Sequence, residues 1–476
     1  MKSGEKKPAS GTGWSLEEVL AATGGKLVGV AAPARFTGIS TDTRNIVPGD
    51  LFVALSGDNF DGSAFVAEAV AKGAAGLVVT HQPTSPLAVP TVVVADTLRA
   101  LGDLAAWRRG KMQNLRVIGI TGSSGKTSVK EMIAGILAQK FPILKTGGNF
   151  NNLVGLPLTL LQVDQKHQLA VLEMGMNRPG EIARLTEIAA PDLACITNVQ
   201  GAHLLGLADI GGVARAKEEL FAGLSSAATL IVNLDDPLVR GMARRYAQKQ
   251  ITFGLQRQAL VRATYVRADV AEGIAFTLNI GGEKARVRLR CLGRHNVVNA
   301  LAAAALAHGV GVGLADIVRG LAAFTPYDKR FQVEQLPEGV RVVNDTYNAN
   351  PSSMLAALET VAEQRRGHRA LAVLGDMLEL GEESVAAHRR VGGAVAKLGF
   401  ERLFAYGEHG NEMVAAARQE GMVAESCRAY ADKNEIVAQL KGLLKNGKLA
   451  SGDWLLVKGS RGMKMETVIT GLKEAR

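Results

Sequence analysis

Residues 115–121, LRVIGIT, run straight into Gly122-Ser123-Ser124-Gly125-Lys126-Thr127-Ser128 and on into the helical stretch KTSVKEMIAGILAQ. Few arrangements restrict a chain so closely. An apolar strand that turns through glycines into a helix amino end aims several backbone N–H groups at one spot, and that spot suits a phosphate. Lys126 is spaced to reach β- and γ-phosphates, and the Thr127 hydroxyl to hold Mg²⁺. Strict spacing of such a loop puts glycine where Ile120 stands, so this is a variant. A glycine-rich turn with an incidental lysine is the competing account, and the flanking strand and helix weigh against it. The expected ligand is ATP or GTP, and no guanine-reading NKxD string is found.

The same alternation continues on both sides. LAVLEM, LACITNV and ATLIVNLD follow the loop, separated by helical segments; VRVVNDTY, RALAVLGDM, ERLFAY and DWLLVKGS come later, and AGLVV and TVVVA come before. Short apolar strands alternating with helices predict an α/β chain with buried, mostly parallel sheets. At 476 residues one core is too few. We expect a basic flexible extension at 1–13 and three domains at 14–112, 113–325 and 326–476. TYVRADV, IAFTLNI and ARVRLR, between residues 251 and 292, alternate apolar with polar and suggest a small antiparallel patch on the central domain.

Composition excludes several classes. No run of about 18 apolar residues is present, so no membrane insertion is expected. Cys195, Cys291 and Cys427 lie too far apart for a disulfide framework, which favours a reducing, cytoplasmic setting. The net charge is +10, but the basic residues are scattered without a zinc finger or aromatic RNA-binding pattern, so no nucleic-acid partner is expected.

Other candidates sit where open α/β sheets bind ligands, at carboxyl ends of strands. Glu173 closes LAVLE and is placed to bind Mg²⁺ directly or through water; a solvated carboxylate is the alternative. His203 in NVQGAHLLG and Lys217 in VARAKEELF are, on spacing alone, more often structural. GGNFNNLVGLPLTLL carries Asn149, Asn151 and Asn152, while NDTYNANPSSM carries Asp345, Tyr347, Asn348 and Asn350. Helix capping accounts for part of this. The density of amides exceeds what two turns require.

Together, TGSSGKTS, strand-end Glu173, AKEE around Lys217, the GRHNVVNALAAAA string beginning at Gly293 and strand-end Asp345 resemble the ATP-dependent Mur ligases, which build the peptide stem of bacterial cell-wall precursors. GNFNNLVGLPLTLL, LEMGMNRPGEI, NDTYNANPSSM and LGDMLELGEES are similar to the branch that adds a dipeptide. The resemblance implies an amino-terminal domain for the UDP-sugar, a central P-loop ATPase domain and a carboxyl-terminal Rossmann-like domain. It places Ser40, Thr41, Asp42 and Arg44 in the UDP-precursor domain. By the same likeness Lys217 is carried as a carbamate, and Glu173, His203 and Lys217 serve a magnesium site of two ions. Asn296 and Asn299 contact the nucleotide base with His295 beside them, and Asp345 binds nucleotide. Arg330 approaches the γ-phosphate, with Lys329 an equal contender, and Tyr347, Asn348 and Asn350 lie near the incoming dipeptide. The implied partners are ATP, UDP-N-acetylmuramoyl-tripeptide and D-alanyl-D-alanine, and the implied state is a monomer. Competing readings are a sister ligase adding the third stem residue, a folylpolyglutamate-type ligase, or a nucleotide switch that forms no bond.

Overall fold

The computed structural model describes residues 13–30, 34–57, 60–83, 87–201, 204–207, 209–270, 272–326 and 328–474. The expected extension at 1–13 therefore lies, apart from Gly13, outside the described residues, and so does His203.

Among the described residues the largest sheet has nine strands. Their order is Ile143–Lys145, Leu169–Glu173, Arg116–Thr121, Leu193–Ile196, Thr229–Asn233, Lys249–Gly254, Val261–Asp269, Gly273–Ile280 and Glu283–Leu289. The first seven run parallel. Leu169–Glu173 and Leu193–Ile196 are buried along their whole length, as strands covered on both faces must be. Helix Lys126–Leu137 leaves the carboxyl end of Arg116–Thr121 and packs against helix Arg294–Val310, whose buried residues are mostly alanine. Register does the positioning. Ile120 lies opposite Glu173, which brings that carboxylate beside the start of the glycine loop.

The antiparallel patch expected on the central domain is present as a continuation of its main sheet. Val261–Asp269 pairs parallel with Lys249–Gly254, and the two later strands add to it antiparallel, so the patch is the rim of the main sheet. Val261, Ala263, Ile274, Phe276 and Leu278 share one buried face that joins the cluster under helices Arg294–Val310 and Leu314–Ala323. An isolated hairpin would leave that face in water.

Two further sheets flank this one. The later sheet runs Gln332–Gln335, Arg341–Asp345, Trp454–Lys458, Ala370–Gly375, Arg402–Tyr406, Cys427–Tyr430, parallel but for its first strand. The earlier one has five strands, of which Lys26–Val28 alone is antiparallel. The chain is thus α/β with mainly parallel sheets.

Candidate active site

The loop between Thr121 and Lys126 is held from below. Gly122 has φ 149° and a Cβ there would come 1.9 Å from Thr197 Oγ1, while Gly125 has φ 83° and its Cβ would meet Asn299 Oδ1 at 2.4 Å. Both positions therefore demand glycine. The Ser124 N–H donates to Asn198 Oδ1 at 2.9 Å, and Thr197 Oγ1 donates to the Ser124 carbonyl at 2.6 Å. Lys126 Nζ folds back to donate to the Gly122 carbonyl at 2.6 Å, in the attitude of a lysine lying over a phosphate cradle. Removal from water pushes its ammonium below the ordinary lysine range, with Glu173 opposing and Arg330 adding to the shift.

Thr127 and Glu173 form the adjoining corner. The Thr127 hydroxyl donates to Glu173 Oε2 at 2.8 Å and accepts from Arg330 Nη2 at 2.9 Å. Asn151 Nδ2 donates to Glu173 Oε1 at 2.9 Å, and the fully buried Lys130 ammonium lies 4.0 Å from Oε2. Thr127 and Glu173 thus offer a hydroxyl and a carboxylate at one point beside Lys126. That donor set fits Mg²⁺, which keeps several waters and phosphate oxygens. Among the described residues no group of three His, Cys, Asp or Glu forms an all-protein metal cage.

Residues from the later sheet close the other wall. Arg330 stacks over the Tyr347 ring, its guanidinium 4.0 Å from the ring centre, and its buried Nε has no partner. Lys329 turns the opposite way, to Glu466 at 3.0 Å. The adjoining backbone, with φ 60° at Lys329 and 51° at Phe331, separates two neighbours that sequence left equivalent. Asp345 Oδ1 accepts from the Phe331 N–H at 3.1 Å and Oδ2 from the buried Lys458 Nζ at 2.6 Å. Asn350 caps helix Pro351–Gln364 through its Oδ1, and its Nδ2 donates 3.0 Å across the cleft to Ser124 Oγ.

The resulting cleft is about 1040 Å³. It gathers Ser123 through Ser128, Asn149, Asn151, Asn152, Glu173, Asn296, Asn299, Arg330, Asp345, Tyr347, Asn348 and Asn350. Leu98, from helix Thr97–Lys111, joins them, so all three sheets' surroundings contribute. Asn152 Oδ1 accepts from the Val154 and Gly155 N–H groups, at 3.2 and 2.9 Å, just ahead of helix Gly155–Leu160. Asn299 Nδ2 donates to Asn296 Oδ1 at 3.3 Å. Burial holds the neighbouring His295 below the ordinary histidine range, which keeps its imidazole neutral.

Two groups stand apart. Ser40, Thr41, Asp42 and Arg44 follow strand Ile39–Ser40 on the early sheet and do not line this cleft; Asp42 and Arg44 form a two-pronged ion pair at 2.6–3.1 Å. Lys217 lies behind the lining and is 1% exposed. Its sole polar contact among the described residues is Met176 Sδ at 3.6 Å. Desolvation, reinforced by Lys126, drives its ammonium well below the ordinary lysine range. A buried lysine with no carboxylate partner among the described residues is rare enough to mark a candidate site.

Lys458, Asn198 and Gln200 also face the cleft and were not singled out from sequence. The signal was present: each follows the carboxyl end of an apolar strand or lies within it at that end, in LLVKGS and CITNVQ.

Asn350 provides a separable test. Asn350→Asp keeps the cap but removes the donor to Ser124, so folding stability should stay within about 0.5 kcal/mol while turnover falls about three- to tenfold. Asn350→Ala should cost about 1 kcal/mol of stability in addition, read by urea unfolding.

Comparison with known proteins agrees with this geometry. Residues 120–307 match the Mur ligase middle domain, 329–461 the Mur ligase glutamate ligase domain, and 35–109 the catalytic domain of the Mur ligase family. The UDP-N-acetylmuramoyl-tripeptide–D-alanyl-D-alanine ligase of Escherichia coli K12 is 39% identical over 461 residues, covering 97% of this chain and 98% of its own. That of Bacillus subtilis is 36% identical over 444 residues, covering 92% and 93%. Among solved structures, MurF from Acinetobacter baumannii superposes with a TM-score of 0.89 at 34% identity, covering 97% of this chain and 99% of that one. MurF ligase from Thermotoga maritima in complex with ADP gives 0.82 at 26%, covering 92% and 97%.

Proposed function

The chain belongs to the Mur ligase family, and from that premise we propose that it joins D-alanyl-D-alanine to the terminal carboxylate of UDP-N-acetylmuramoyl-tripeptide with ATP. The observation that carries this reading is the cleft itself, in which Arg330 and Asn350 of the later sheet's domain touch Thr127 and Ser124 of the phosphate loop. Full-length likeness to dipeptide-adding ligases supports the choice of acceptor. The structure of the sister that adds diaminopimelate is only 18% identical and speaks for the fold alone.

A carboxylate does not condense with an amine near neutral pH, because oxide leaves poorly. Transfer of the γ-phosphoryl group to the tripeptide carboxylate makes an acyl phosphate; the dipeptide amine then attacks, and phosphate departs with the C–O bond electrons. The burden on the protein is to hold two anions together. The loop N–H groups and Lys126 cradle the phosphates, and Arg330, fixed by Tyr347, faces the charge that develops on transfer. Thr127 and Glu173 would hold Mg²⁺, which supplies charge neutralisation between phosphate oxygens when bound. A second ion needs an anion where Lys217 stands as an amine. Burial favours that neutral amine, the form that adds CO₂ to give a carbamate with loss of a proton. His203, the further expected ligand, lies outside the described residues.

In this reading domains 14–112, 113–325 and 326–476 take the UDP-sugar, the ATP and the acceptor. Ser40, Thr41, Asp42 and Arg44 face the UDP-precursor, Asn296 and Asn299 the base, and Asp345 the nucleotide. No helix among the described residues is long and apolar enough to cross a membrane, and the reading is of a cytoplasmic monomer. Phosphate release should require D-alanyl-D-alanine and not be replaced by diaminopimelate, lysine or glutamate. Equal rates with a single amino acid would return the assignment to a sister ligase.

A further inference from the structure

The string LGDMLELG, which the reaction above leaves without a role, leaves strand Ala370–Gly375 and forms part of the cleft wall at Leu378, Glu379 and Leu380. Its path is unusual, with φ 65° at Glu379 and 57° at Gly381. Backbone in that region costs about 1 kcal/mol or more for a side-chain-bearing residue and persists only where its surroundings impose it.

Those surroundings centre on His388, from helix Ser384–Lys397, which is fully buried. The Met377 N–H donates to His388 Nε2 at 3.0 Å, and His388 Nδ1 donates to the Ser384 carbonyl at 2.7 Å. The two partners fix one neutral tautomer, because Nε2 must keep its lone pair. Burial, with the tilted His409 ring 4.6 Å away, holds the imidazole below its ordinary range against the pull of the Ser384 carbonyl and Asp376. Asp376 itself accepts from the Glu408 and His409 N–H groups, and a Cβ on Gly407 would come 2.4 Å from its carboxylate. On the far side Leu378 N–H donates to Ser460 Oγ at 2.9 Å.

The loop so held does two things. Its Glu379 carbonyl accepts from the Leu205 N–H at 3.1 Å, a contact with the central domain. It also leaves Leu378 46% exposed in the cleft wall, beside Leu380 of the same loop. An apolar side chain there suits a ligand carrying small apolar groups; ATP carries no methyl, and the loop belongs to the domain assigned above to the acceptor dipeptide, which presents two methyls on an otherwise polar frame.

We propose that His388 is a positioning residue for acceptor binding, fixing the loop from Asp376 to Leu380 so that Leu378 meets the dipeptide's methyl groups. The inference rests on the ligase reading above. His388→Leu keeps apolar volume but removes the acceptor for Met377; KM for D-alanyl-D-alanine should rise about tenfold or more while KM for ATP stays within about twofold. His388→Gln, whose amide oxygen can accept the same N–H, should recover most of the affinity. Leu378→Ser, altering an exposed side chain and no buried contact of His388, should also raise the dipeptide KM selectively, and it keeps the test open if His388→Leu folds poorly. An unchanged dipeptide KM in Leu378→Ser, or equal rises for ATP and dipeptide in a folded His388→Leu, overturns the proposal. Wild-type protein assayed alongside separates the two levels: amide formed by wild type with unaffected variants sinks only the loop assignment, whereas no amide from wild type sinks the ligase reading.

Discussion

Lys126→Ala should lower amide formation by about a thousandfold or more while leaving the fold intact. The side chain spans the glycine loop to the Gly122 carbonyl, so the loop's shape rests on its glycines and on Thr197 and Asn198 rather than on the ammonium. What the ammonium supplies is a positive charge, partly withdrawn from water, at the point where phosphoryl oxygens gather. Lys126→Arg should not restore the rate, because a planar guanidinium cannot replace a compact point charge in so tight a loop. Circular dichroism and urea midpoints like those of the wild type, with phosphate release at background, are the expected pair of results. Normal turnover in Lys126→Ala would remove the loop from the reaction.

Lys217→Ala should be nearly as severe, with loss of about a hundredfold or more. Its distinguishing mark is rescue. A carbamate is a short carboxylate on a lysine stem, and alanine leaves space where one stood. Added formate or acetate should therefore restore part of the activity of Lys217→Ala and none of that of Lys126→Ala. Stability gives an independent check on the burial argument. The lysine holds a depressed folded-state pKa, so the unfolded chain binds its proton more readily and stability should rise with pH through that interval. Lys217→Met, of similar length and without charge, should lose this dependence and be no less stable. Full activity in Lys217→Ala without any added acid would take the residue out of the site.

How much of this could be read from the chain depended on range. Glu173 was legible because parallel neighbours in an α/β sheet bring strand ends to one rim, and the register of Ile120 against Glu173 follows from that. The glycine loop was legible from its residues together with the apolar strand before it and the helix after it, although Ile120 departs from the strict spacing. Arg330 was not separable from Lys329, since the choice is made by two positive φ values that no local pattern encodes. The isolation of Lys217 was equally hidden: its helix reads as amphipathic, and only the packing around Met176 shows that no carboxylate among the described residues reaches it. The strands after Val261 were legible as an antiparallel patch on the central domain, but not as the edge of its main sheet, because alternation reports which face is buried and not which edge is extended. Asp376 and His388 are twelve residues apart and meet Gly407 and His409 from still further along, a constellation set by tertiary structure throughout.

The central claim is that the outer phosphoryl group of ATP passes to the acid of a sugar-linked peptide before the new amide forms. It can be followed with oxygen-18 placed in the terminal carboxylate of UDP-N-acetylmuramoyl-tripeptide, incubated with the protein, Mg²⁺, ATP and D-alanyl-D-alanine. The account predicts that each amide formed is matched by inorganic phosphate carrying one labelled oxygen, and that neither appears when the tripeptide is withheld. Unlabelled phosphate, released at the same rate with or without that acid, would contradict it.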